Sequence, residues 1–124
     1  YSKNTTELNY ENNYRYIRYA DVLLMAAEAN NRGGISDSKA QTYLNQVRSR
    51  AGVSSINETG SALTQAIWDE RRLEFAGEGQ RFFDLVRTGQ APNEISGFVA
   101  GKHEVFPIPQ TEIDISGLTQ NAGY

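Results

Sequence analysis

The sequence has no cysteine, one histidine, one tryptophan and three prolines among its 124 residues. Without cysteine, the chain has no disulfide bonds, no thiolate ligands for a metal and no thiol nucleophile. The one histidine, His103, cannot build a histidine-rich metal site, and its polar neighbours favour an exposed loop position. No apolar run approaches the roughly 20 residues that a membrane-spanning helix needs.

Cofactor and nucleic-acid signatures are also missing. The Gly77-x-Gly79 pair lacks the third glycine of a dinucleotide-binding turn, and no strand pattern precedes it. Glu78-x-x-Arg81 resembles the pair of haem-thiolate enzymes, which needs a cysteine. The formal net charge is −3, and no run of lysine or arginine offers phosphate a basic face. We therefore expect no cofactor, no metal and no nucleic-acid partner.

The spacing of the apolar residues predicts an all-α fold. We expect helices at about 19–31, 37–51, 62–76 and 80–88. Ser36 or Asp37 is the expected cap of the second helix and Ser61 that of the third, whose buried face includes Leu73 and Phe75. The short connection between the first two helices predicts antiparallel neighbours, as in tetratricopeptide-like helical hairpins.

The ends of the chain differ from this helical part. Residues 1–13 are polar and predict a tail or loop, which leaves 14–124 as the expected helical domain. From Gly89 onward the sequence predicts a long irregular C-terminal segment. Within it, Phe106-Pro107-Ile108-Pro109 must be extended, because each proline disfavours helix at the residue before it.

Charged residues concentrate around the Gly77–Gly79 break. They could supply paired carboxylates for glycosidase-like acid–base chemistry. Carboxylates beside arginines tend to stay ionised, however, which does not suit a general acid. We favour a structural ion-pair corner in which Arg81 joins the helices on both sides of the glycines. Its expected members are Glu70, Arg71, Glu74, Glu78, Arg81, Asp84 and Arg87.

Tyrosines cluster near the start of the chain, at Tyr10, Tyr14, Tyr16 and Tyr19. Flat aromatic faces can stack on sugars, which makes Tyr10 and Tyr14 the candidate ligand-binding residues. Amphipathic tyrosines more often seal the start of a helix, and we favour that interpretation.

Five groups of motifs, in order along the chain, resemble the C-terminal portion of SusD/RagB proteins. Each group is weak alone, and their common order is specific. The groups are Arg18-Tyr19-Ala20-Asp21-Val22-Leu23-Leu24-Met25 with Ala27-Glu28-Ala29; Leu44-Asn45, Val47-Arg48 and Arg50-Ala51-Gly52; Glu70-Arg71-Arg72 through Arg87; Phe106-Pro107-Ile108-Pro109 with Glu112-Ile113; and Gln120-Asn121-x-Gly123-Tyr124. Phe82, Thr88 and Ala122 depart from the family pattern.

The resemblance implies a non-catalytic role in nutrient uptake. Proteins of this family are outward-facing lipoproteins of the Bacteroidetes outer membrane that bind oligosaccharides or other nutrients and act with a TonB-dependent transporter. The resemblance further implies that this chain is the C-terminal part of a longer protein. The lipid anchor and most ligand contacts would then lie outside it. A generic helical protein-interaction module that binds no sugar is the alternative, and a carboxylate-based glycosidase is a third possibility.

Overall fold

A computed structural model of the chain describes residues 15–124, which contain six helices and no strand. The all-α prediction is therefore confirmed. The described residues divide into two compact units between Glu74 and Phe75. The predicted tail at 1–13 lies outside the described residues, and the single domain at 14–124 stays a prediction. The helices are α1 (Tyr19–Arg32), α2 (Asp37–Arg50), α3 (Gly60–Glu74), α4 (Arg81–Arg87), α5 (Ala91–Glu94) and α6 (Gln110–Ser116).

Helices α1 and α2 form the expected antiparallel hairpin of the first unit. Their facing apolar residues are buried, namely Leu23, Leu24, Ala27, Ala40, Leu44 and Val47. Gly34 turns the chain between them with a φ of 64°, a conformation that side-chain-bearing residues resist. Ser36 caps α2 as predicted, because its hydroxyl oxygen accepts a hydrogen bond from the Lys39 N–H at 3.2 Å.

Helix α3 packs against both α1 and α2 through Leu63 and Ile67, which have no exposed surface. Toward its C-terminal end the buried positions carry charge, at Glu70 and Arg71. The expectation that Leu73 is buried is wrong, since 71% of it is exposed. The buried residues of α3 are Leu63, Ile67, Glu70 and Arg71. At about 100° of rotation per residue, position 73 lies roughly 100° around the helix from the centre of the stripe that they form.

The start of α3 is held by the other two helices. The helix begins at Gly60, so Ser61 is not its cap. Instead, Asp37 Oδ2 accepts a hydrogen bond from the Gly60 N–H at 2.7 Å. The Asn31 amide donates to Asp37 Oδ1 at 2.7 Å and to the Gly60 carbonyl at 3.1 Å. This polar junction ties the end of α1 to the starts of α2 and α3.

The polar junction predicts an acid-sensitive contribution to stability. The Asn31 amide, and after it the Gly60 N–H, hold the pKa of Asp37 below its ordinary value of 3.8. This stabilisation is fully present above that value and is lost as the pH falls through the lower pKa of the folded state. Asp37→Asn should therefore lower the melting temperature at neutral pH. The difference in melting temperature between this variant and the unmutated chain should narrow below about pH 3.8. Calorimetry across pH 2.5–7 tests this, and a difference that stays constant would contradict it.

The second unit, from Phe75 to Tyr124, is mostly irregular beyond α4, as predicted. Two short helices, α5 and α6, interrupt the segment that the sequence predicts to be irregular. Pro92 lies in the first turn of α5, where a missing N–H costs no helical hydrogen bond. Helix α6 has no buried residue, which explains why no apolar stripe marks it in the sequence.

Side chains near the end of the chain hold the segment at 105–108 in place through hydrogen bonds. The Gln120 side chain accepts from the Ile108 N–H at 2.8 Å and donates to the Ile108 carbonyl at 2.9 Å. Asn121 donates to the Phe106 carbonyl at 2.7 Å. Proline-flanked Ile108 therefore stays outside any helix with its backbone groups satisfied, in agreement with the predicted extended segment.

Candidate functional site

The charged residues of α3 form ion pairs with the other two helices of the first unit. Arg71 Nη1 lies 2.7 Å from Asp21 Oδ1 of α1, and both side chains are at most one-tenth exposed. Glu70 Oε2 lies 2.6 Å from Arg48 Nη1 of α2. These contacts join α3 to α1 and to α2 where apolar packing gives way to charge.

Glu74, at the end of α3, is shared by two arginines. Arg18 Nη1 donates to Glu74 Oε1 at 2.8 Å, and Arg18 Nη2 donates to the Glu74 backbone carbonyl at 3.0 Å. Arg50, the last residue of α2, pairs with the other carboxylate oxygen. A carboxylate held from both sides in this way fixes the end of one helix against its neighbours.

The remaining charged residues lie in the second unit. Asp84 Oδ1 lies 2.8 Å from Arg87 Nε within α4. Arg81 Nη2 lies 3.4 Å from Glu94 Oε2, and Glu94 is not among the residues predicted for the ion-pair corner. Glu78 is exposed. The hypothesis that Arg81 joins the helices on both sides of the glycines stays a prediction.

This arrangement of charge serves helix packing better than acid–base chemistry. The four carboxylates at 21, 70, 74 and 84 each hold a guanidinium within 2.8 Å or less. Within residues 15–124, no three histidine, aspartate or glutamate side chains group closely enough to hold a metal ion. No helix in the same range is long and apolar enough to cross a membrane.

The two tyrosines of the N-terminal cluster that the structure describes, Tyr16 and Tyr19, are exposed. Tyr16 lies before α1 and Tyr19 begins it, and neither buries its ring. Tyr16 and Tyr19 therefore do not seal the start of α1, in contrast to the interpretation favoured from the sequence. The candidates Tyr10 and Tyr14 lie outside the described residues, so their ligand-binding role stays a prediction.

A cavity of about 360 Å³ opens beside Tyr19 in the first unit. The start of α1 and the end of α2 line it, which follows from their antiparallel packing. Its lining residues are Arg18, Tyr19, Ala20, Leu23, Gln46, Val47 and Arg50. An apolar floor with an aromatic ring and polar side chains at its edge is typical of small-ligand sites. Sequence reasoning missed Gln46 and Arg50, whose four-residue spacing on one helix face was the available signal.

Comparison with known proteins decides the family. The sequence model described as the SusD family matches residues 1–105 of the chain. The chain belongs to the SusD family. The SusD-like protein P2 of Formosa agariphila is 33% identical over 132 aligned residues, covering 90% of this chain and 26% of the relative. A SusD-like protein of Bacteroides ovatus is 37% identical over 82 residues, covering 64% of this chain and 14% of the relative.

Solved structures agree with this assignment. The surface glycan-binding protein A of Bacteroides thetaiotaomicron, solved in complex with laminarihexaose, superposes with a TM-score of 0.79 and 41% identity. The superposition covers 96% of this SusD-family chain and 27% of that protein. The names of these relatives refer to the SusD family or to glycan binding and to no enzymatic activity. The chain spans about a quarter of the length of the first curated relatives that it matches.

Proposed function

We propose that this chain is the C-terminal part of a cell-surface protein that captures oligosaccharides for uptake through a TonB-dependent outer-membrane transporter. The observation that carries the proposal is the similarity to a glycan-binding protein over nearly the whole chain, at 41% identity and with a TM-score of 0.79. The longer protein would be anchored by lipid at a site outside this chain and would face outward from the cell. Most contacts with the captured glycan would be made by the rest of that protein.

The proposal assigns no catalytic role to the chain. The carboxylates that a glycosidase would need are engaged with arginines of neighbouring helices or of the same helix. In the first unit this use of charge supports a rigid helical scaffold. The scaffold would hold the ligand-binding part of the longer protein in place over the transporter.

Binding measurements with the longer protein test the proposal against its alternative. A panel of soluble oligosaccharides that includes laminarihexaose should give saturable binding to at least one member of the panel. A TonB-dependent transporter should co-purify with the protein from detergent-solubilised outer membranes. Retention of the transporter without any glycan binding would instead favour a protein-interaction module, and the absence of both would contradict the proposal.

A further inference from the structure

A second cavity lies within the second unit and has a volume of about 300 Å³. It is distinct from the cavity beside Tyr19, and we call it the C-terminal cavity. Its size is at the lower end of the range for small-molecule sites, which suits a single ring of a ligand. Its lining residues are Phe82, Ile95, Ser96, Gly97, Phe98, His103, Val105, Phe106 and Tyr124.

Aromatic rings dominate the walls of the C-terminal cavity. Phe98 contacts Phe82 with ring centroids 6.5 Å apart and contacts His103 edge to face with centroids 5.7 Å apart. The Tyr124 ring carries the Lys102 ammonium 4.7 Å from its centroid, so a cation already occupies one face. Phe106 is 82% exposed, and its ring is the broad flat surface that this cavity leaves open to a ligand.

His103 adds a directional polar group to these apolar walls. Its Nδ1 accepts a hydrogen bond from the Val99 N–H at 2.9 Å. In the neutral ring the proton must then be on Nε2, which makes that nitrogen a donor. No aspartate or glutamate side chain lines the cavity. The lining side chains therefore combine flat apolar faces with a hydrogen-bond donor, and none of them is acidic.

We infer that the C-terminal cavity binds one pyranose ring of a neutral oligosaccharide, with the sugar stacked on Phe106 and a hydroxyl group accepting from His103. A pyranose ring has one face of C–H groups and an edge of hydroxyl groups, which matches aromatic walls with a single donor. An apolar peptide side chain would fill the walls and leave the His103 donor without an acceptor. The inference rests on the proposed glycan-binding function and adds a contact that this chain makes by itself.

A single stacked ring with one hydrogen bond gives weak binding, with a dissociation constant on the order of 1 mM. The test is an NMR titration of the ¹⁵N-labelled 124-residue chain with laminarihexaose up to about 10 mM. We expect saturable shifts of the backbone amides at 96–106. Phe106→Ala should weaken this response at least about tenfold, whereas Phe106→Tyr, which keeps the ring, should retain it.

Phe83→Ala is the matched control, because Phe83 is also largely exposed in the second unit but does not line the cavity. It should leave the titration unchanged. The inference is overturned by the absence of shifts at 96–106, by equal affinity of the Phe106→Ala chain, or by shifts confined to the residues around Tyr19. If Phe106→Ala destabilises the longer protein and no amide responds to sugar, a peptide segment fills the cavity. This result would also overturn the inference.

The two proposals fail in different ways. If the longer protein binds no oligosaccharide of the panel, the proposed function itself is wrong. If the longer protein binds laminarihexaose and the 124-residue chain shows no response, only the inference about the C-terminal cavity is wrong.

Discussion

Arg71→Ala should destabilise the chain by an amount on the order of 3–5 kcal/mol, since it leaves the carboxylate of Asp21 buried without this cation. Arg71 is 4% exposed and reaches from α3 to α1. A loss of this size is a large fraction of the roughly 5–15 kcal/mol that stabilises a typical domain. Urea unfolding followed by circular dichroism measures it directly.

Arg72→Ala is the matched control for this prediction, because Arg72 is the next residue of α3 and is exposed. Its replacement should change the free energy of unfolding by about 0.5 kcal/mol or less. Replacing both members of the pair, as Asp21→Leu with Arg71→Met, should recover much of the lost stability, since no buried charge is then left alone. Equal effects of Arg71→Ala and Arg72→Ala would show that the buried pair does not hold α3 against α1.

Leu63→Ala should cost about 2–5 kcal/mol, through the lost burial and the cavity that it creates. Leu63 is wholly buried where α3 packs on the hairpin of α1 and α2. Leu73→Ala on the same helix removes the same atoms from a side chain that is 71% exposed. It should change the stability by no more than about 0.5 kcal/mol.

The sequence predicts that both Leu63 and Leu73 are buried, and thermal unfolding of the Leu63→Ala and Leu73→Ala chains tests whether only Leu63 is. A larger effect at Leu73 than at Leu63 would mean that α3 is rotated about its axis so that Leu73 is buried against α1 and α2. The orientation of α3 described above would then be wrong.

The helices of the first unit could be predicted from sequence because their signals are local. Apolar residues recur at helical spacing, Gly33 and Gly34 end α1, and Ser36 caps α2. The same reasoning gave a wrong prediction for Leu73, because charged residues occupy the buried stripe at the end of α3. Leu73 fits the apolar pattern of the sequence, but its side chain does not pack against the other helices.

The partners of the charged residues could not be predicted, because each choice depends on which helices become neighbours. The sequence places Glu70, Glu74 and Arg81 in one corner by their proximity along the chain. In the structure, Glu70 and Glu74 pair with arginines more than 20 residues away, at 18, 48 and 50. Arg81 pairs with Glu94 of α5, a helix that the sequence pattern does not reveal.

The same limit applies to both cavities. His103 and Phe106 lie in a segment without periodicity. Only the folded chain shows that they line one cavity with more distant residues such as Phe82 and Tyr124. Tyr19 stands out in the sequence as one of a cluster of tyrosines, but the cavity beside it also needs Gln46 and Arg50 from α2. Sequence motifs were therefore informative about the family and much less so about individual ligand contacts.

We propose that this chain belongs to a protein that captures glycans without cleaving them. To test this, the longer protein is incubated with an oligosaccharide that it binds, and the length of that sugar is then measured by chromatography. We expect saturable binding and an unchanged oligosaccharide with no new reducing ends. Shortened products that disappear in a Glu78→Gln variant would contradict it.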